Sequence, residues 1–450
     1  MKSSVLILVL ILALVGLIVP LYLGGYVAIG GNRLRRFSSY EHLKSFLLES
    51  ALSYSRGNMA YLSSLDSSPK TLGVPESLPY SYSKTNIQVE GVDEADIVKT
   101  DGEYIYIASG RNVTILKAYP PEEAEILSQV TLNGSISGLF INGNKMVIFE
   151  SGYSPYVYYE TFGTFIVPVK SFPYYEVSGT SIRVYNIAER TNPISTRNVT
   201  LNGYYFDSRM IGDYVYAMIN EQVYANESYV SIPIICSNGE VKEIDAEEIY
   251  YAVVSDAFNT YTTIVAINTQ NDAQEPTQKT ILLGMTSEIY VSMNNIYITF
   301  QGYGEEPRPS LPIQLLHVST WGTTIHRIHI ENGEIEPGPS GHVPGYVLNQ
   351  FSMDEYDGYF RIATTSWGEV GEQNNVYVLD MNLNIVGKLE NLALGENIHS
   401  ARFMGDRCYL VTFKKIDPLF VIDLSNPSDP KVLGQLKIPG YSDYLHLYLS

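Results

Sequence analysis

The feature that most constrains this chain is a two-part repeat running from Lys117 to Asp423. One part is a short apolar strand ending in a polar residue: TILK at Lys117, RVYN at Asn186, VAIN at Asn268, HRIH at His329, YVLD at Asp380 and FVID at Asp423. The other is a tight-turn dipeptide between apolar strands, at Gly143-Asn144, Gly212-Asp213, Asn294-Asn295, Asp357-Gly358 and Gly405-Asp406, a composition suited to two-residue hairpins. Strand end and following turn are 26 residues apart in the first three copies and 28 and 25 in the next two. Such a repeat, with room for three strands between markers and a fourth beyond the turn, describes a four-stranded unit that cannot bury both of its faces alone, so successive units must stack. The expected fold is all-β, a β-propeller of four-stranded blades. Counting from Val92 gives six complete blades plus the first strand of another, or six to eight if the ring closes.

Length variation is confined to one place. From each turn to the next strand end the chain runs 43, 56, 35, 23 and 18 residues. If the turn joins the first two strands of a blade, the variable connection joins the second to the third, and all such connections leave one face of the disc. Loops on a rigid scaffold commonly carry function. The insertions, roughly 151–179, 221–261 and 302–322, therefore mark a candidate binding face, and the first contains Tyr153, Tyr156, Tyr158, Tyr159, Tyr174 and Tyr175. Exposed tyrosines supply rigid amphipathic contact area for peptides or sugars; the competing role is packing the insertion onto the disc.

Ahead of the repeat, residues 3–32 carry no charge and Val5 to Leu23 is almost wholly apolar, the length a bilayer-spanning helix requires. Residues 1–36 are expected to form a membrane anchor, or a signal segment that is removed to release a secreted protein. Residues 37–85 read as a short helix and a linker: Leu43, Phe46, Leu47 and Leu52 recur at helical spacing, and Ser38 with Glu41 fits a capping box. Residues 86–450 form the propeller. The first 36 residues hold four Lys and Arg and no acid, leaving 25 Lys and Arg against 48 Asp and Glu. So acidic a body is not expected to bind nucleic acid. Cys236 and Cys408 are too few for a disulfide framework, although one bridge between them is open.

Four acids, Glu90, Asp93, Glu94 and Asp96, precede the first hairpin and are the candidate set for a hard cation such as Ca²⁺. No Asp-x-Asp-x-Asp-Gly loop accompanies them, so ion pairing is the competing role. Asp354, Glu355 and Asp357 sit at a turn that favours Asp for its geometry alone. His326 and His329 are three apart in a strand, which points them to opposite faces and precludes chelation of one ion. No nucleophile elbow, phosphate loop or paired zinc ligands are present. Sequons at Asn112, Asn133, Asn198 and Asn226 are compatible with export.

TNIQVEGVDEADIVKTDGEYIYIASG at 85–110, GYVLNQFSMDEYDGYFRIATTSW at 345–367 and the stretch from Arg402 to His446 resemble the secreted, membrane-anchored β-propeller-domain family of archaea and bacteria, distantly WD40-like. The resemblance implies export and N-terminal anchoring, against a charge count around Val5–Leu23 that slightly favours a cytoplasmic body. It supplies no catalytic residues. Members continue past SDYLH, which implies that the ring here is truncated at its C-terminal end.

The leading expectation is an extracytoplasmic, membrane-anchored, non-catalytic scaffold that binds a surface protein, peptide or glycan through the Tyr-rich face, without a cofactor. One alternative is a glycan- or peptide-acting hydrolase or lyase using Asp93, Glu94, Asp354 and Glu355, which requires paired carboxylates over a pocket. The other is a cation-stabilised structural component of the envelope.

Overall fold

A computed structural model describes residues 34–57, 87–153, 159–162, 165–168, 178–252, 260–284, 286–305, 319–368, 371–413, 417–438 and 445. Apolar runs separated by tight turns build six antiparallel four-stranded units in chain order. Sheet 1 comprises Val98–Thr100, Tyr104–Ser109, Asn112–Lys117 and Glu125–Thr131; sheet 2 comprises Ser135–Asn142, Lys145–Tyr153, Ser178–Asn186 and Ile194–Asn202. Sheet 3 holds Tyr204–Ile211, Tyr214–Gln222, Thr260–Asn268 and Thr277–Leu283, and sheet 4 holds Glu288–Val291, Asn295–Glu305, Ser319–Glu331 and Glu334–Pro344. In sheet 5 the first position is shared by Tyr346–Val347 and Met353–Tyr356, followed by Tyr359–Gly368, Gly371–Leu379 and Ile385–Leu392. Sheet 6 is Asn397–Met404, Arg407–Phe413, Asp417–Asp423 and Lys431–Ile438.

Both halves of the sequence repeat now have a physical cause. The Gly and Asp dipeptides join the first strand of a sheet to the second, with φ of +59° at Gly143 and +56° at Gly212, where a side chain would be strained. In four of the six sheets the polar residue closing the third strand folds back on the backbone. Asn186 Oδ1 accepts from the amide of Ala188, Asn268 Oδ1 from Gln270 and Asn271, Asp380 Oδ1 from Asn382 and Asn384, and Asp423 Oδ1 from Ser425. Each carboxamide or carboxylate thus ends its strand by offering the chain a turn instead of the ladder.

Successive sheets pack face to face, and the core lies between them. Tyr106, Ile115, Leu139 and Ile148 join sheets 1 and 2; Phe149, Val184, Val215 and Val265 join 2 and 3. Ile264, Ile281, Ile298 and Ile328 join 3 and 4; Tyr297, Ile325, Phe360 and Tyr377 join 4 and 5; Val376, Val378, Leu410 and Phe420 join 5 and 6. Strands covered on both faces lose the polar alternation of a half-exposed strand. Val215 through Glu221 are accordingly all buried.

Residues 34–47 form a strap on the outer edge of sheet 3. Arg35 and Arg36 pair with Tyr251 and Tyr250 in a strand, Ile249–Tyr251, that itself runs parallel to Thr277–Leu283. Helix α1, Tyr40–Gly57, follows. The cap is Ser39, one residue later than the expected Ser38: its Oγ accepts from the amide of His42, while His42 Nδ1 accepts from the amide of Ser38. An imidazole at the third position thus does the reciprocal work expected of Glu41. Phe37, Leu43 and Leu47 are buried against Ile244, Ile249 and Tyr251, with Phe37 stacked on Tyr251 at 4.2 Å. No helix among the described residues is long and apolar enough to cross a membrane. The expected span, Val5 to Leu23, lies outside the described residues.

Candidate functional site

The segment from Gln88 to Asp96, which carries the candidate cation ligands, runs across the inner edges of four sheets before entering sheet 1. Gln88 Nε2 donates to the carbonyls of Gln350 and Met353 on sheet 5 at 2.9 and 3.1 Å. Gly91, at φ +83°, lies against Met293 of the sheet 4 hairpin; any side chain there would collide with the thioether. Val92–Glu94 pairs with Arg209–Ile211, the first strand of sheet 3. Asp96 then exchanges backbone hydrogen bonds with Leu139 of sheet 2.

Along this path the acids are taken up by cations and by the backbone. Lys99, 6% exposed, donates to Asp93 Oδ1 at 2.8 Å. Arg209, 4% exposed, lies 3.7 Å from Glu94 and 2.6 Å from Asp207, and its second terminal nitrogen donates to Gln350 Oε1 at 2.8 Å. Asp96 Oδ1 accepts from the amide of Ile97, and Glu90 is exposed. Two of the four candidate ligands are therefore ion-paired and a third is bonded to the backbone, which leaves no convergent set of carboxylate oxygens for a cation. Among the described residues no group of three or more His, Cys, Asp or Glu is placed to hold a metal.

Asp354 and Glu355 alternate along one strand and face different neighbours. Asp354 accepts from Arg361, whose Nη1 donates to Gly405 O in the sheet 6 hairpin. Glu355 Oε2 accepts from Tyr297 at 2.7 Å, Asn295 at 3.0 Å and Ser292 at 2.9 Å, all on sheet 4. Each carboxylate ties sheet 5 to one neighbour, and neither forms a catalytic pair with the other. Asp101 serves sheets 1 and 2 in the same way, accepting from Tyr106 and Arg190. Partial burial opposes its ionisation, but hydrogen bonds from Tyr104, Tyr106, Glu103 and Arg190 hold it below the usual carboxylate range.

Two of these carboxyls are different: burial lifts Asp354 above the usual carboxylate range despite the Arg361 charge and hydrogen bond beside it, and Glu288 is lifted as well. Glu288 opens the first strand of sheet 4, and burial together with the Asp207 charge pushes it up to about 7. His326 is wholly buried, shares a 2.6 Å hydrogen bond with Ser340 and is pushed down to about 3 by burial, whereas His329 is 41% exposed. The two imidazoles diverge as the strand period requires.

The long insertions do lie between second and third strands. Tyr156, Tyr158, Tyr174 and Tyr175 lie outside the described residues, as do the side chains of Tyr153 and Tyr159. Residues 223–252 depart from the expectation of a free binding loop. They supply a hairpin, Ile234–Ser237 and Glu240–Glu243, to the outer edge of sheet 2 and the strand Ile249–Tyr251 to that of sheet 3. Covering open edges blocks pairing with foreign strands. A cleft of about 230 Å³ lies between sheets 5 and 6 on the side of the hairpin turns, lined by Tyr356, Asp357, Tyr359, Arg361 and Pro427 among others. Of the partners that complete the hub, Lys99 lies only six residues from Asp93, whereas Arg209 and Gln350 carry no sequence signal, because they reach Glu94 and Gln88 from more than 100 residues away.

Residues 82–449 match the family described as Beta propeller domain. The chain belongs to that family. The chain is 31% identical to an uncharacterized protein of Methanocaldococcus jannaschii, over 91% of this chain and 71% of that one. It is 27% identical to an uncharacterized protein of Archaeoglobus fulgidus, over 85% of this chain and 68% of that one. Among solved structures it is similar to a Synechocystis apocarotenoid oxygenase mutant, at 9% identity and a TM-score of 0.33 over 77% of this chain and 72% of that one. It is also similar to a hypothetical selenium-binding protein from Sulfolobus tokodaii, at 9% identity and a TM-score of 0.32 over 74% and 75%. Likeness at that level carries no residue correspondence onto the propeller.

Proposed function

We propose that the chain is a non-catalytic binding scaffold of the cell surface, anchored by Val5–Leu23 and holding its propeller outside the membrane. The observation that carries this reading is the division of labour between hub and loops. Hub carboxylates tie sheets together, while the connections that vary in length all join second strands to third and so leave one face of the packed sheets. Rigid support with variable loops is an arrangement for recognition. The ligand is a surface peptide, protein or glycan met by the Tyr-rich first insertion.

The test has two arms. External protease should remove a C-terminal tag from intact cells, and the purified propeller should bind isolated envelopes of its source cells saturably. A variant with Tyr156, Tyr158, Tyr174 and Tyr175 changed to Ser should keep its melting profile and lose that binding. A protected tag sinks the location, and unchanged binding by the variant sinks the face.

A further inference from the structure

The proposed anchor and the folded body are joined by a tether too short for the disc to turn freely. Between Leu23 and Leu34 lie ten residues, 24–33. Ten residues reach no more than about 40 Å even at full extension. A folded body of this size has a radius of gyration of about 21 Å and is therefore roughly 50 Å across.

The point where the tether meets the body is fixed to the outer edge of sheet 3. Arg36 pairs with Tyr250, and its guanidinium sits 5.8 Å from the centre of that ring. Phe37 donates its amide to Ile249 O, and Tyr40 bridges the backbone of Val230, accepting from its amide at 2.7 Å and donating to its carbonyl at 3.2 Å. With Leu43 fully buried and Leu47 nearly so, the strap cannot peel away without exposing the cluster around Phe37 and Tyr251.

We propose that the rim of sheet 3 formed by Arg35, Arg36 and the first turns of α1 is the membrane-facing edge of the protein, in contact with lipid headgroups. This inference rests on the anchor in the function proposed above. Arg35 and Arg36 are exposed and carry the chemistry that meets lipid phosphates. Exposed acids at the same rim, Glu41 in the first turn of α1 with Glu247 and Glu248, limit the attraction, so the tether enforces the contact. A short linker holds its ends at an effective concentration in the millimolar range, enough to populate a weak interaction. The disc then stands on one edge, and its loop face stays open to ligands instead of lying on lipid.

The test uses the full chain in vesicles of phosphatidylcholine and phosphatidylglycerol containing a lipid-linked energy acceptor. Single dyes are attached at Ser45→Cys, beside the strap, and at Gln435→Cys, on the outer strand of sheet 6 three sheets away; both positions are exposed, and native Cys236 and Cys408 are buried. Transfer to the bilayer should be at least three-fold higher from position 45. Inserting 20 Gly and Ser residues after Arg33 should bring the two efficiencies within a factor of about 1.5. Equal transfer in the unextended protein overturns the oriented rim while leaving the anchor standing. Release of the protein by an alkaline wash overturns the anchor, and the rim with it.

Discussion

The phenol of Tyr297 donates a 2.7 Å hydrogen bond to Glu355 Oε2 across the boundary between sheets 4 and 5. Tyr297 is fully buried and stacked on Phe360 at 4.1 Å, so its ring packs into the core while its hydroxyl binds the one carboxylate that also takes Asn295 and Ser292. Burial, with the Glu355 charge and hydrogen bond adding to it, pushes the phenol far above its ordinary range. Removing the hydroxyl in Tyr297→Phe should cost about 1–2 kcal/mol, since Glu355 keeps two partners. Glu355→Ala should cost about 3 kcal/mol, because it leaves the buried Tyr297 O–H with the weakly accepting Met381 sulfur, 4.0 Å away, in place of a carboxylate. Urea unfolding of the two variants checks the order; Glu355→Ala as mild as Tyr297→Phe would show that the carboxylate is not the shared tie.

Glu288 gives the stability a pH signature. Its folded value of about 7 is above the ordinary 4.5, so the folded state holds the proton longer than the unfolded one. Stability from the protonated form is complete below about pH 4.5 and is lost as pH rises through 7. Glu288→Gln should therefore match the parent at pH 4 and exceed it by about 3 kcal/mol at pH 8. A difference independent of pH would mean that Glu288 titrates normally.

The acidic hub segment should behave as an ion-paired core and not as a cation site. EDTA and millimolar Ca²⁺ should both leave the melting temperature within about 1 °C, because Asp93 and Glu94 already have Lys99 and Arg209. Lys99→Met should destabilise by about 1–3 kcal/mol through the partly buried Asp93 left behind. A melt raised by Ca²⁺ would restore the cation-stabilised reading.

Cys236 lies in the hairpin added to sheet 2 and Cys408 in the second strand of sheet 6, both free and buried. The bridge that the sequence left open is not made. Burial pushes the Cys408 thiol up to about 12, which removes the reactive thiolate. Maleimide should label neither residue until the protein is denatured, and a reductant should not shift the melt. Rapid labelling of the native protein would place a thiol at the surface.

Much of the fold was legible because its causes are local. The turn at Gly143 needs a positive φ and the strand end at Asn186 needs a side chain that captures its own backbone, so both leave marks at fixed intervals. The apolar run around Val215 announces a strand covered on both sides. The place of the long insertions followed from the same register. The site was less legible: Asp93 and Glu94 read equally as ligands or as ion-pair partners from their own neighbourhood, and the choice lay with Lys99 and with Arg209, over 100 residues further on.

Read without its fold, the chain already specifies the all-β class, the four-strand unit, the order of its turns and the apolar stretch near its N terminus. Period and turn chemistry depend on near neighbours along the chain. That Gln88–Asp96 crosses the inner edges of the sheets, that Glu355 belongs to Tyr297, and that residues 34–47 belong to the rim of sheet 3 emerges from the packed fold. Those choices depend on which strands lie side by side, and packing among distant segments sets that, with no local signal to record it.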